Sequence, residues 1–136
     1  MAGLSVYLAQ KLIGHVLQGL PYPVPAGTFL ALFVADPTDE NLTANEVVAA
    51  WYDRQQVSAW SAPVGAGTTS HNTNQVIFDA VTGAAVSVSH YGIYDAVSGG
   101  NLLHSGPLAA VKQLDIDDVM VLEPGDIELD WGLPTP

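Results

Sequence analysis

The chain has 136 residues, no cysteine, and 14 carboxylates against only Lys11, Arg54 and Lys112, for a formal charge of −11. The missing thiols exclude disulfide staples and thiolate metal sites, and the charge disfavours nucleic acid and anionic membranes as partners. About half the residues are apolar, which excludes wholesale disorder, while 13 Gly and 9 Pro favour many short elements. One domain over 1–136 is expected: a helix at 4–20, a β-sandwich over 27–132 and a tail at 133–136. No apolar run approaches the roughly 18 residues that span a bilayer. The N-terminus also lacks the charged start, apolar run and cleavage site of a secretory signal, so synthesis in the cytoplasm is expected.

Residues 4–20 read as the one helix. On a helical wheel Val6, Leu8, Leu12, Ile13, Val16, Leu17 and Leu20 share one half, while Gln10, Lys11, Gly14, His15 and Gln18 fall on the other with Leu4 and Tyr7. Gly19 and Pro21 mark its end. An arc this wide suits docking on the chain's own sheet, or on a neighbouring subunit with part of the face. Replacing Leu12 or Val16 with Asp is expected to abolish folding or assembly by burying an unpaired charge.

After a Pro-rich connector, Thr28 to Ala35 is an apolar run of strand length, stopped by Asp36-Pro37-Thr38-Asp39. A short helical turn is expected at 45–50, a strand from Arg54 to Ser61, and a surface loop from Ala62 to Asn74. Further strands are expected at Gln75 to Asp79, Ala85 to Ser89, Tyr91 to Tyr94, Leu102 to Leu108, Ala110 to Ile116, Val119 to Leu122 and Ile127 to Trp131. The Gly99-Gly100 pair allows positive φ where the chain reverses between Tyr94 and Leu102. About eight short strands at this spacing predict a mainly β fold: a single antiparallel sandwich or barrel with one N-terminal amphipathic helix.

Catalytic patterns are missing. The chain has no phosphate-binding G-x-x-x-x-G-K-[ST] loop, no G-x-S-x-G elbow and no H-E-x-x-H helix. His90 and His104 can face each other across the central hairpin, yet a zinc site would need two more ligands. The acidic stretch Asp115 to Asp130 departs from the spacing of a calcium loop and reads as a solvated or partner-facing edge. Trp51, Trp60 and Trp131 are a conceivable sugar-stacking platform, although core and interface roles are commoner for tryptophan. No catalytic, cofactor-binding or metal residue is assigned, no cofactor is expected, and the chain is read as not an enzyme. Arg54, isolated among acids, is expected to pair with Glu46 or Asp53. The candidate interface residues are Leu8, Leu12, Val16, Leu20, Arg54 and Trp60.

Several phrases stand in one order: Phe29-Leu30-Ala31-Leu32-Phe33, Ala35-Asp36-Pro37-Thr38, Glu46, and Trp51-Tyr52-Asp53-Arg54-Gln55. They continue with Asn74, Val76-Ile77-Phe78, Gly92-Ile93-Tyr94-Asp95-Ala96, Ser98-Gly99-Gly100-Asn101-Leu102-Leu103, Gly106-Pro107-Leu108 and Pro124-Gly125-Asp126. This order resembles a family of small structural proteins of tailed bacteriophages and prophages, labelled tail-fibre proteins or assigned to the capsid as decoration. It departs from the family pattern at Asp53 and in the acidic run Asp115–Asp118. The resemblance implies a β-rich virion component without catalysis, whose partners are other virion proteins: the major capsid protein, or a tail or baseplate protein. A capsid decoration or cement role is placed first, because the chain has no fibrous repeat and no receptor-binding extension; it is expected to be a homo-oligomer. A tail-fibre or tail-adaptor subunit is the alternative, and a carbohydrate-binding module the third reading.

Overall fold

The computed structural model describes residues 3–132; the expected tail at 133–136 lies outside them. Ser5 sets the first element. Its hydroxyl oxygen accepts from the Leu8 N–H and so caps helix α1 (Val6–Gln18), while the same hydroxyl donates to the Leu102 carbonyl far along the chain. Gly19 closes the helix at φ 70°, a left-handed conformation that glycine adopts without a Cβ penalty. The helix is shorter than 4–20 because Gly3–Leu4 is strand β1, pairing with Ser105 and His104.

The remaining strands are β2 (Phe29–Phe33), β3 (Gln55–Gln56), β4 (Thr69–His71), β5 (Val76–Ile77), β6 (Val86–Tyr94), β7 (Leu102–Leu114), β8 (Val121–Leu122) and β9 (Glu128–Asp130). The main sheet has the order β1-β7-β6-β2-β3 with every pairing antiparallel. Two ribbons, β4–β9 and β5–β8, complete the structure. The fold is thus mainly β with one helix, as expected, and its sheet stays open rather than closing into a barrel.

Core residues divide along β2. Leu30 and Leu32 join Val57, Val76, Phe78, Val88, Ile93, Leu122 and Leu129 in the main cluster, whereas Ala31 and Phe33 join Tyr94 and Leu102 on the other side. That explains why FLALF is apolar without alternation: both faces of the strand are covered.

Several expected boundaries shift. The pairs Ala85–Ser89 with Tyr91–Tyr94, and Leu102–Leu108 with Ala110–Ile116, are the two long strands β6 and β7. Pro107 stays within β7, paired opposite His90 beside the register shift between Val88 and His90. The expected strand at Arg54–Ser61 contracts to β3, and the expected loop at 62–74 contains β4. The helical turn falls at Thr43–Asn45, ahead of its expected place, and Glu46 then bridges to Phe33.

The helix uses its apolar half unequally. Leu8 is buried at 3% exposure and Leu12 packs partly against the core, but Val16 and Leu17 stand 71% and 76% exposed. The expectation that Val16→Asp buries a charge is therefore corrected for the isolated chain. Leu8→Ala should cost about 2–5 kcal/mol of stability in urea titrations, while Val16→Asp should stay within about 0.5 kcal/mol of the parent.

Candidate functional site

Three features stand out from the fold: a buried cation, an aromatic pocket and an uncovered helix stripe. The cation is Arg54. Its Nε and Nη2 each donate to a Glu46 carboxylate oxygen at 2.8 Å, a bidentate pair, and its Nη1 donates to the carbonyls of Ala96 at 3.1 Å and Gly99 at 2.7 Å. The guanidinium lies 3.6 Å from the Tyr94 ring centroid, a cation–π contact. Burial alone would favour loss of the Arg54 proton, but the Glu46 carboxylate outweighs it and holds Arg54 above its ordinary value.

Tyr52 completes the group by donating to Glu46 at 2.7 Å and accepting the Leu32 N–H at 3.1 Å; burial and the Glu46 bond push its phenol well up. Glu46 rather than Asp53 is therefore the partner of Arg54, and Asp53 faces solvent.

The carbonyls that Arg54 grips belong to the turn Asp95 to Asn101. Asp95 accepts the Asn101 backbone N–H at 2.7 Å and its side-chain amide at 3.0 Å, and Gly99 and Gly100 sit at φ 62° and 70°. The Ser-Gly-Gly-Asn phrase is thus a turn whose inner carbonyls are aimed at a cation.

The second feature is a cavity of about 330 Å³, walled by Trp60, Trp131, His104, Ile93, Leu103 and Leu129. It stands at the lower end of the range for ligand pockets. The register slip between Ile93 and Tyr94 lets Leu103 and His104 both line it. His104 is buried between two rings, its Nδ1 accepting from the Trp131 indole at 2.9 Å. The neutral ring then carries its proton on Nε2, toward the Tyr91 hydroxyl at 3.2 Å. Burial lowers the His104 pKa to about 4 and raises that of Tyr91 to about 12, so both are neutral at pH 7.

Four of the hydroxyls around the pocket have partners within the chain. Thr28 accepts from the Trp60 indole and donates to Val57, Ser70 donates to Ser61, Ser61 accepts the His71 N–H, and Thr68 donates to Asp130. Such walls suit an apolar group better than a sugar, which needs free hydrogen-bonding partners. Trp51 takes no part: it is buried, edge-on to Tyr52 at 5.9 Å, so the three tryptophans do not share one platform.

The third feature is the helix surface. Ile13, Val16 and Leu17 are exposed at spacings of three and four or adjacent on the last turns of α1, and Leu20, past the Gly19 cap, is exposed as well. Of the candidate interface residues, Leu8 and Leu12 turn inward, Val16 is exposed on the helix and Leu20 just past its end, Arg54 is in the buried clamp, and Trp60 lines the pocket. His104 and its contacts with Tyr91 and Trp131 were not foreseen, because residues 91, 104 and 131 carry no local motif that links them.

His90 and His104 do not face each other, since they stand opposite Pro107 and Ile93 respectively. Among the described residues no group of three or more His, Asp or Glu is placed to hold a metal ion. In the acidic stretch, Asp118 accepts from the Asp115 N–H and Asp126 from the Glu123 N–H, each at 2.8 Å, so these carboxylates close their own turns.

Fold and site define a mainly β structural module with one amphipathic helix. Residues 3–130 match the family model described as Podophage GP4 fiber I protein gp80, and the chain belongs to that family of phage virion structural proteins. No curated protein matches it.

Two measurements probe the site. Arg54→Met leaves Glu46 without its cation and should cost about 3–5 kcal/mol in chemical denaturation. His104 has a folded pKa below its unfolded one, so its contribution is full above about pH 6.5 and is lost as pH falls toward 4. That loss should reach about 3 kcal/mol, and His104→Gln should remove this part of the acid slope.

Proposed function

We propose that the chain is a non-catalytic, fibre-type component of the phage tail, held in place by contacts with a tail or baseplate protein and with copies of itself. The observation that carries this reading is the match over residues 3–130 to a family described as a fibre protein. It favours the tail over the shell, and so reverses the order in which the sequence placed capsid decoration and tail fibre. The exposed apolar side chains Ile13, Val16 and Leu17 on the helix, with Leu20 just past its end, support it from the structure, because such side chains suit burial in an assembly.

Charge supports it as well. All 14 carboxylates lie between Asp36 and Asp130, so the helix is the part of this acidic molecule that approaches a negative neighbour without repulsion. Synthesis in the host cytoplasm and delivery by assembly fit the same reading, and among the described residues no helix is long and apolar enough to cross a membrane.

Gold labelling of purified particles with an antibody to the chain, together with quantitative gels, tests the placement. A few to a few dozen copies at the tail are expected. Hundreds of copies over the head would restore capsid decoration, and absence from particles would remove both.

A further inference from the structure

We infer that the contact between Trp131 and His104 is an acid-sensitive latch: when His104 takes a second ring proton from solvent, Trp131 and the end of β9 swing away and the aromatic pocket opens to water. The chemistry is that of two donors meeting. The Trp131 indole has an N–H and no acceptor, and it points at Nδ1 of His104 from 2.9 Å. Nε2 carries the proton of the neutral ring and faces the Tyr91 hydroxyl at 3.2 Å. A second proton therefore has only Nδ1 to bind, and there it sets N–H against N–H. One of the two groups must then move, because neither donor keeps an acceptor.

Trp131 is the group free to do so. Its side chain is 48% exposed, so its indole finds water by turning outward, whereas His104 is 1% exposed and held in β7 between β1 and β6. β9 is fastened to β4 by three residue pairs, and beyond them by the Trp131 N–H donating to the Thr68 carbonyl at 3.3 Å. The five-stranded sheet is paired far more extensively, so the ribbon end opens before the sheet does. With Trp131 displaced, the cavity of about 330 Å³ admits several waters at about 30 Å³ each, and these supply the acceptor that the imidazolium lacks.

The other titratable groups nearby are already accounted for. From β6 Tyr91 faces His104, and burial holds its phenol neutral; β1 presents only Gly3 and Leu4. On the ribbon, Asp130 is exposed and accepts from the Thr68 hydroxyl, Glu128 is exposed opposite His71, and His71 is bonded to Ser61. Among the described residues His104 is the one ionisable side chain that lines the pocket. The closed form takes the proton less readily than a free imidazole, so closure is favoured fully above about pH 6.5 and loses that advantage as pH falls to about 4. Over that interval the ratio of open to closed should rise about tenfold per pH unit.

The latch belongs to the folded chain and does not depend on its place in the particle. Its test is the protection of each indole N–H against exchange with water, followed by NMR on the isotope-labelled full chain from neutral to acid pH. Trp51→Phe, Trp60→Phe and Trp131→Phe assign the three signals. Protection of Trp131 should fall about tenfold per pH unit below the ordinary imidazole value, while Trp51, buried in the main core, keeps its protection. His104→Gln should hold Trp131 at one level across the range, and Asp130→Asn should leave the acid response intact. Joint loss at Trp131 and Trp51 is general unfolding and overturns the inference, as does a Trp131 signal that stays protected until the fold is lost. A response that survives His104→Gln, or that disappears in Asp130→Asn, places the trigger elsewhere and overturns it as well. If His104→Gln does not fold, the comparison of Trp131 with Trp51 in the wild type still decides.

Discussion

Arg54 is the interaction on which the rest of the molecule depends. A buried ion pair is costly unless nearly every donor and acceptor is bonded. Here four guanidinium bonds and one aromatic face do that work. The partners come from three places: Glu46 from the connection after β2, Tyr94 from the end of β6, and Ala96 and Gly99 from the turn into β7. Taking that cation away would release the turn, unseat the loop from the sheet, and uncover the small cluster of Ala31, Phe33, Tyr94 and Leu102 beneath it. Lysine would not substitute, since a point charge cannot make a planar bidentate pair and stack at once.

Around this fixed centre the chain separates its chemistry. Carboxylates populate the loops and ribbons, several of them closing the turns in which they stand, and keep the exterior soluble. The helix is free of them. Its inner edge, Leu8 with part of Leu12, is enough to anchor it, aided by the Ser5 cap, and the apolar side chains beyond that edge add nothing to the monomer. Side chains that a fold does not use and does not hide are the natural material for contacts between subunits.

Much of the architecture was legible in the residues, for local reasons. The uninterrupted FLALF run announced a strand, Gly19 a helix end, and Ser98-Gly99-Gly100-Asn101 a tight reversal. The helix face was legible only as an arc. A wheel places Leu8 and Val16 on the same half, and only the path of β7 decides which of them is covered. The long strand β7 was read as two, Leu102 to Leu108 and Ala110 to Ile116, because the register shift that it shares with β6 lies across the ladder, where no local pattern records it. The pocket was the least visible part. Trp60, His104 and Trp131 meet because β4 pairs with β9 and because β7 slips by one residue against β6, two non-local events.

Ser5 has a consequence for how the chain is made. Its hydroxyl caps the first helix by bonding Leu8, yet it also needs the carbonyl of Leu102, and β1 needs His104 and Ser105. On a ribosome these partners emerge only after β2 to β6 have followed the helix. At about 5–20 residues per second the nascent helix waits on the order of 5–20 seconds for its seat. Throughout that interval its whole apolar half, Leu8 included, lacks the strand that will cover part of it. Helix α1 is therefore made before the strand that seats it, and is among the last elements to be locked.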